Sequence, residues 1–202
     1  GWSTDNSNQR HYDKTVTDIN ADNINQLELA WAFAYPEAIR ARSQPAVAGG
    51  AVYVGSQNGS VFALDRETGC IRWTFQTTAE VRNAIVIEPW QAGQKASPSL
   101  FFGDIAGNVY AVDAITGELR WRDRPDDHPS LTLTAAPSLS EGTLYVPLSS
   151  LEVTQAADPG YACCTFRGGV AAYDAKTGTK KWVGYTIDEA PRVVGKNSIG
   201  TD

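Results

Sequence analysis

Two of the three cysteines in this 202-residue chain are direct neighbours, Cys163 and Cys164, in the stretch YACCTFRGG at residues 161–169. Zinc sites need clustered cysteine and histidine ligands. The two histidines lie far apart in sequence and no CxxC pair occurs, so the adjacent thiols do not indicate zinc. The pair can be two reduced thiols, a disulfide between neighbours, or one end of a bridge to Cys70.

Other common catalytic and binding signatures are missing from these residues. No CxxCH motif for a covalently bound haem occurs, and no GxSxG motif for a serine nucleophile. The net charge is −6 and the pI is about 4.9, which argues against nucleic acid or an anionic membrane as the main partner. No apolar run approaches the length of a membrane span.

The composition is that of an ordinary globular protein, with 42% hydrophobic and 20% charged residues. The sequence contains no methionine. We therefore expect some N-terminal sequence, such as a signal peptide or an upstream domain, to lie outside it.

The chain repeats a short motif of Asp, Thr-Gly and Trp, with eight residues from Asp to Trp in every copy. The Asp is expected to accept hydrogen bonds from turn amides, the Gly to adopt a positive φ, and the Trp to offer an apolar face to the next repeat. A further Trp, Trp31, lacks the preceding turn. The three copies are SVFALDRETGCIRW (60–73), NVYAVDAITGELRW (108–121) and GVAAYDAKTGTKKW (169–182).

Each motif predicts a β-hairpin, and another short strand pair precedes it. Four short strands per repeat are typical of a β-propeller blade. The repeats start 48 and then 61 positions apart, measured from Asp65 to Asp113 to Asp174. The 13 extra residues fall between Tyr145 and Gly169, so YACCTFRGG lies in an insertion or at its end.

We therefore predict an all-β fold, a partial β-propeller of about three four-stranded blades. A closed propeller needs four to eight blades, so we expect the chain to be part of a larger ring. The expected organisation is an opening segment at 1–35, blades at 36–78, 79–125 and 126–186 with an insertion at 147–168, and a link at 187–202.

The repeat AxDxxTGxxxW resembles the tryptophan motif of pyrroloquinoline-quinone (PQQ) dehydrogenase propellers. The opening residues NQRHY (8–12), INADNI (19–24) and the later Ala30-Trp31 resemble the start of quinoprotein alcohol dehydrogenases. Together with CCTFRG (163–168), the resemblance is closest to the polyvinyl-alcohol dehydrogenase type and covers the whole chain.

The resemblance implies an eight-bladed propeller with PQQ in a central funnel and Ca²⁺ beside it. It implies oxidation of an alcohol, with hydride passing to the quinone, a carboxylate base taking the proton, and electrons passing to cytochrome c. A haem c in a further domain is compatible with the resemblance. No catalytic residue is expected within these 202 residues, which alone should be inactive.

Four residues match cofactor or metal positions of the family. Glu152 matches a calcium ligand, and a carboxylate oxygen suits that hard cation. Thr134 matches a threonine that bonds a cofactor carboxylate, Ser149 matches a small residue facing the cofactor, and Arg82 matches an arginine that reaches the quinone. Each could instead be an ordinary loop or strand residue.

Two features depart from the methanol-oxidising members of the family. Arg42 stands where those members have a glutamate, and residues 78–80 stand where they have an adjacent cysteine pair. Here the pair, Cys163 and Cys164, occurs one repeat later. The departures favour a different pocket and a secondary or polymeric alcohol as substrate.

We hypothesise that Cys163 and Cys164 form a disulfide that lines the funnel, with Cys70 free at the rim. Such a pair implies an oxidising compartment, and hence a periplasmic or secreted protein. Arg167 is predicted to reach the same ligand or to pair with an acid at the blade edge. The alternative to an enzyme is a non-catalytic propeller of the same repeat type, acting as a scaffold for outer-membrane assembly or as a ligand-binding module.

Overall fold

The computed structural model describes residues 17–91 and 93–201, so the opening motif at 8–12 lies outside the described residues. Within them the chain forms thirteen strands, one 3₁₀ helix (Ile24–Gln26) and one short helix, α1 (Glu152–Gln155). Neither helix has the length and apolar character needed to cross a bilayer.

The strands form three antiparallel sheets in chain order, as predicted for blades of an all-β protein. The short strand β9 also pairs with β11 of the third sheet. The first sheet contains β1 (Ala46–Ala48), β2 (Ala51–Gly55), β3 (Ser60–Asp65) and β4 (Ile71–Gln76); the second contains β5 (Val86–Ile87), β6 (Ser99–Gly103), β7 (Val109–Asp113) and β8 (Leu119–Asp123); the third contains β9 (Leu131–Thr132), β10 (Ser138–Ser140), β11 (Thr143–Ser150), β12 (Gly169–Asp174) and β13 (Lys180–Tyr185).

Two motif tryptophans, Trp73 and Trp121, join neighbouring sheets as predicted, whereas Trp182 is 48% exposed and packs beside Tyr145 of its own sheet. The indole N–H of Trp121 donates to the carbonyl of Ala175 at 2.9 Å, and its ring covers Gly178. A Cβ at Gly178 would lie 2.6 Å from that ring, and φ there is +72°. Only glycine combines this backbone conformation with such a close approach. Trp31 and Trp73 make the same contacts with the turns of the first and second sheets.

The aspartate of each motif organises its turn, also as predicted. Asp65 Oδ1 accepts the amides of Glu67 and Thr68, both at 3.0 Å, and Asp113 and Asp174 make equivalent bonds. The Arg72 guanidinium and these turn donors lower the pKa of Asp65 to about 2.

Strand β3 shows how the sheets are layered. The alternation in its sequence separates two faces, and both are buried. Val61 and Ala63 join the core between the first and second sheets, while Phe62 and Leu64 pack under the opening segment. Aromatic residues of that segment, such as Phe33, cover the first sheet much as a neighbouring blade would.

The antiparallel order fixes which loops share an end of the sheets. The segments that enter β1, β5 and β10 emerge at the same end as the β2–β3, β6–β7 and β11–β12 connections. We call this end the site face. The Asp-Thr-Gly turns, and with them the exposed Cys70, lie at the opposite end.

Candidate functional site

Three entry loops, at 40–45, 80–85 and 132–137, lead into the first strand of each sheet on the site face. In the first two loops a polar side chain accepts the amide of the glycine that ends the second strand. Ser43 Oγ accepts Gly55 N at 3.0 Å, and Asn83 Oδ1 accepts Gly103 N at 3.3 Å.

The third loop makes no such bond because the corresponding strand residue is a proline. Strand register places Thr143 opposite Asp174, as Ala51 lies opposite Asp65, so Pro147 takes the position of Gly55. Proline has no amide to donate, and the loop accordingly carries Ala135, which has no side-chain acceptor.

The preceding residues of the three loops, Arg42, Arg82 and Thr134, therefore hold equivalent positions. Hydrogen bonds made by the residues that follow Arg42 and Arg82 link the three loops to one another. Ser43 Oγ donates to the carbonyl of Asn83 at 2.9 Å, and Asn83 Nδ2 donates to the carbonyl of Leu133 at 3.3 Å. The structure thus brings Arg42, Arg82 and Thr134 into one arc, as neighbours in sequence order.

A single buried carboxylate joins the first two members of this arc. Glu80 Oε2 lies 2.6 Å from Arg82 Nη2, and Glu80 Oε1 lies 3.5 Å from Arg42 Nη1. The Glu80 side chain is 9% exposed, against 25% for Arg82 and 38% for Arg42. The two guanidinium groups therefore remain accessible while the acid between them is covered.

Ser149 lies beside the third entry loop because strand β11 is longer than its counterparts. Its last residues pair with β9, with Ser149 opposite Thr132. Ser149 is half-buried, like Thr134. The predicted cofactor residues of the second and third sheets are therefore close neighbours.

Buried side-chain atoms without a hydrogen-bond partner occur at three places in the described part of the chain: Gln44 Oε1, Arg82 Nε and Thr132 Oγ1. All three belong to the entry loops, one in each. An unpartnered buried polar group costs about 1–3 kcal/mol. These three atoms lack a protein partner, which leaves them available to a bound water or ligand at this arc.

Glu152 follows β11 at the start of α1 and is 3% exposed. Its Oε1 accepts the Tyr161 hydroxyl at 3.0 Å and both the amide and the hydroxyl of Thr165, at 2.9 and 3.3 Å. Its Oε2 accepts the Phe166 amide at 2.9 Å. Glu152 therefore holds the end of the insertion against the top of the third sheet.

These donors keep Glu152 ionised. Burial acts to raise its pKa, but the amides of Thr165 and Phe166 and the Tyr161 hydroxyl outweigh burial, so the pKa lies below its ordinary value. His128 Nε2 lies 3.8 Å from Glu152 Oε1 and 2.9 Å from the Thr165 hydroxyl. Its Nδ1 accepts the Ser130 amide, which leaves the proton on Nε2.

Glu152 fits a calcium site as one ligand of several. Ca²⁺ takes 6–8 oxygen ligands, and an ionised, buried carboxylate is a suitable one. Oε2 has a single donor and retains a free lone pair for a cation. Residues 17–91 and 93–201 contain no cluster of three or more His, Cys, Asp or Glu side chains, so further oxygens would have to come from carbonyls, water or the cofactor.

The structure contains a disulfide between Cys163 and Cys164 and leaves Cys70 free and exposed, in agreement with the predicted pairing. The disulfide forms one wall of a cleft, and residues 191–195 form the opposite wall. The hydroxyl and amide of Thr165 connect this wall directly to Glu152. The disulfide and Glu152, the proposed metal ligand, are therefore held together through the hydrogen bonds of Thr165.

Arg167 lies beside the disulfide and contacts the chain after β13. Its guanidinium lies 3.8 Å above the Tyr185 ring and donates to the carbonyl of Asp188 at 2.8 Å. It also lines a cleft together with Cys164 and Arg192. Arg167 thus ties the segment after β13 to the insertion, and Arg192 of that segment lines the clefts beside the disulfide.

Sequence reasoning missed four residues of this face: Glu80, His128, Tyr161 and Arg192. Glu80 carries a readable signal, because it stands two residues before Arg82 in a loop and an acid there can pair with that arginine. The other three reach the site only through the fold, His128 from the loop before β9, Tyr161 from the insertion and Arg192 from the chain after β13, and no periodic pattern indicates them.

Known proteins share the sequence and the fold that carry this geometry. Residues 1–198 match the sequence profile of the PQQ family described as glucose/ethanol/alcohol dehydrogenase, beta-propeller domain. The chain is 38% identical over 200 residues to a polyvinylalcohol dehydrogenase of Sphingopyxis sp. (strain 113P3) and 33% identical over 200 residues to one of Pseudomonas sp.. Both alignments cover 99% of this chain but only 30% and 31% of the relatives, so the chain spans just under a third of their length.

A solved structure gives the same answer for the fold. The quinohemoprotein alcohol dehydrogenase of Comamonas testosteroni superposes with a TM-score of 0.65 at 26% sequence identity, over 84% of this chain and 24% of that one. The three sheets therefore have the arrangement found in that protein.

Proposed function

The chain belongs to the family of PQQ-type glucose, ethanol and alcohol dehydrogenase β-propeller domains, and on that premise we propose that it forms part of a PQQ-dependent dehydrogenase that oxidises an alcohol. The proposal assigns the site face to cofactor binding. It covers the whole protein's activity, of which this chain would supply one wall of the cofactor site.

The single observation that carries the proposal is the arc of entry loops. Arg82, Thr134 and the neighbouring Ser149 occupy adjacent positions there, and each loop holds one buried polar atom without a partner. A guanidinium donates a fixed fork of hydrogen bonds, which suits a planar ligand rich in carboxylates and carbonyls.

Each of these residues would have a separate role in binding the cofactor and the metal. Arg82 would bind quinone or carboxylate oxygens, while the hydroxyls of Thr134 and Ser149 would bond the cofactor from the next sheet. Glu152 would supply one carboxylate oxygen to Ca²⁺, and the Cys163–Cys164 disulfide would provide a rigid apolar surface. When bound, PQQ accepts the hydride that leaves the alcohol carbon.

The alcohol also loses a proton, and the base that takes it is assigned to no residue of this chain. Two electrons would then leave to a cytochrome c or to a haem domain, a proposal supported by the likeness to a quinohemoprotein. We further propose a secondary or polymeric alcohol as substrate, because both relatives described above are named polyvinylalcohol dehydrogenase. A periplasmic or secreted location would suit the disulfide.

Dye-linked oxidation by the full-length protein tests the proposal. The protein would be reconstituted with PQQ and Ca²⁺ and offered a primary alcohol, a secondary alcohol and polyvinyl alcohol, with reduction of an artificial electron acceptor as the readout. We expect turnover that requires both additions, with the secondary or polymeric substrate preferred. Absence of turnover with every alcohol, in a folded protein, would argue for a non-catalytic propeller.

A further inference from the structure

Two arginines from different blades share one carboxylate at the centre of the entry-loop arc. Arg42 enters the first sheet and Arg82 enters the second, at equivalent positions, and Glu80 contacts both. Two positive groups around one negative group leave one uncompensated positive charge. The sequence suggested a role for Arg82 and treated Arg42 only as a departure.

Because Glu80 is more buried than the two arginines, the exposed part of the cluster is mainly positive. The Glu80 side chain is 9% exposed, whereas the Arg82 and Arg42 side chains are 25% and 38% exposed. Arg82 uses Nη2 on Glu80, while its buried Nε has no partner. A quarter of the Arg82 side chain and more than a third of the Arg42 side chain are exposed, so a ligand can reach both.

We propose that Arg42 and Arg82 together bind one carboxylate group of the cofactor, with Glu80 as the positioning residue that sets the spacing of the two guanidinium groups. The proposal rests on the proposed function, since it takes PQQ, a tricarboxylate, as the ligand. It adds a ligand-contacting role for Arg42 and an indirect role for Glu80.

A positioning role for Glu80 and a purely electrostatic role predict opposite effects of Glu80→Gln on PQQ affinity. Replacing Glu80 by Gln removes a negative charge beside the ligand, so simple electrostatics would tighten binding of an anion. If Glu80 instead positions two guanidinium groups, the same change lets them separate and weakens binding. Hydrogen bonds to charged groups are worth about 1.5–3 kcal/mol, so we expect about a tenfold or greater loss of PQQ affinity in Glu80→Gln.

The test measures binding and not turnover. PQQ and its trimethyl ester, which has the same ring but no carboxylate charge, would be titrated into the full-length protein with Ca²⁺ present, and dissociation constants taken from quinone absorbance. The variants are Arg42→Gln, Glu80→Gln and Arg82→Gln. Arg40→Gln is the matched control, because Arg40 is an exposed arginine two residues away in the same loop.

Support requires that the wild type prefer PQQ to the ester and that Arg42→Gln, Glu80→Gln and Arg82→Gln each reduce that preference at least tenfold, with Arg40→Gln unchanged. Tighter PQQ binding in Glu80→Gln, or an unchanged preference in Arg42→Gln, would overturn the shared clamp while leaving the proposed function intact. If the folded wild type bound neither compound, the proposed function and the clamp would both be overturned.

Discussion

The carboxylate of Glu152 accepts the backbone amide of Phe166 at 2.9 Å, across a loop of thirteen intervening residues that contains the disulfide. Because Thr165 donates to the other oxygen, one side chain fixes two successive amides of the returning chain. The same carboxylate is the proposed calcium ligand. Order in the insertion and metal binding are therefore expected to depend on one residue.

This dependence predicts that Glu152→Gln loosens the insertion before any cofactor is added. The Gln amide nitrogen cannot accept a hydrogen bond, so the Phe166 or the Thr165 amide would lose its partner at about 1–3 kcal/mol. Limited proteolysis between residues 156 and 168 should become faster. Glu118→Gln, an exposed change at the opposite end of the sheets, should leave the cleavage rate unaltered. Equal rates in the two variants would mean that Glu152 does not hold the loop.

The cysteine pairing predicts a specific labelling pattern. Without reductant, iodoacetamide should modify Cys70 alone, because it is the free and exposed thiol. Mass spectrometry of a digest should find Cys163 and Cys164 on one peptide, two mass units below the dithiol form. After reduction all three cysteines should be labelled. A peptide that links Cys70 to either partner would contradict the pairing.

Alanine substitutions at two glycines distinguish the effect of the tryptophan contact from the effect of backbone strain. Gly117 and Gly142 have φ of +74° and +70°, but a Cβ at Gly117 would lie 2.7 Å from the Trp73 ring, whereas Gly142 has nothing within 4 Å. Both alanine variants should carry the strain of a left-handed residue, about 1–2 kcal/mol. Gly117→Ala should cost about 1–3 kcal/mol more, because the indole must move. Urea unfolding of the two variants measures the difference, and equal losses would show that the ring does not pack as described.

The turn aspartates predict a loss of stability in acid. Hydrogen bonds from Arg72 and the Thr68 amide lower the pKa of Asp65 to about 2, below its ordinary value of 3.8. The folded state therefore binds fewer protons than the unfolded state between these values, and the stabilisation is lost as pH falls from about 4 towards 2. Thermal unfolding of Asp65→Asn should be less sensitive to pH over this range. An identical pH profile in the wild type and in Asp65→Asn would contradict the assignment.

The sequence alone was sufficient for the fold because the signals are local. An aspartate, a glycine and a tryptophan at fixed spacing specify a turn and its docking partner, so the packing of each tryptophan on the next repeat follows from the motif. The site was only partly predictable. Arg82 and Glu152 are proposed on the resemblance to the family, but the contact between Arg42 and Glu80 joins residues 38 positions apart and has no local signal. The insertion likewise folds through Tyr161 and Thr165, whose bonds to Glu152 have no periodic signature.

The calcium dependence of PQQ binding by the full-length protein, followed by calorimetry, is the most direct measurement of the proposed cofactor site. We expect PQQ to bind with Ca²⁺ present and much more weakly after chelation. We also expect Glu152→Gln to remove this dependence and Glu118→Gln to preserve it. Binding that ignored Ca²⁺, or that retained its full calcium dependence in Glu152→Gln, would contradict the assignment of Glu152 and with it the proposed cofactor site.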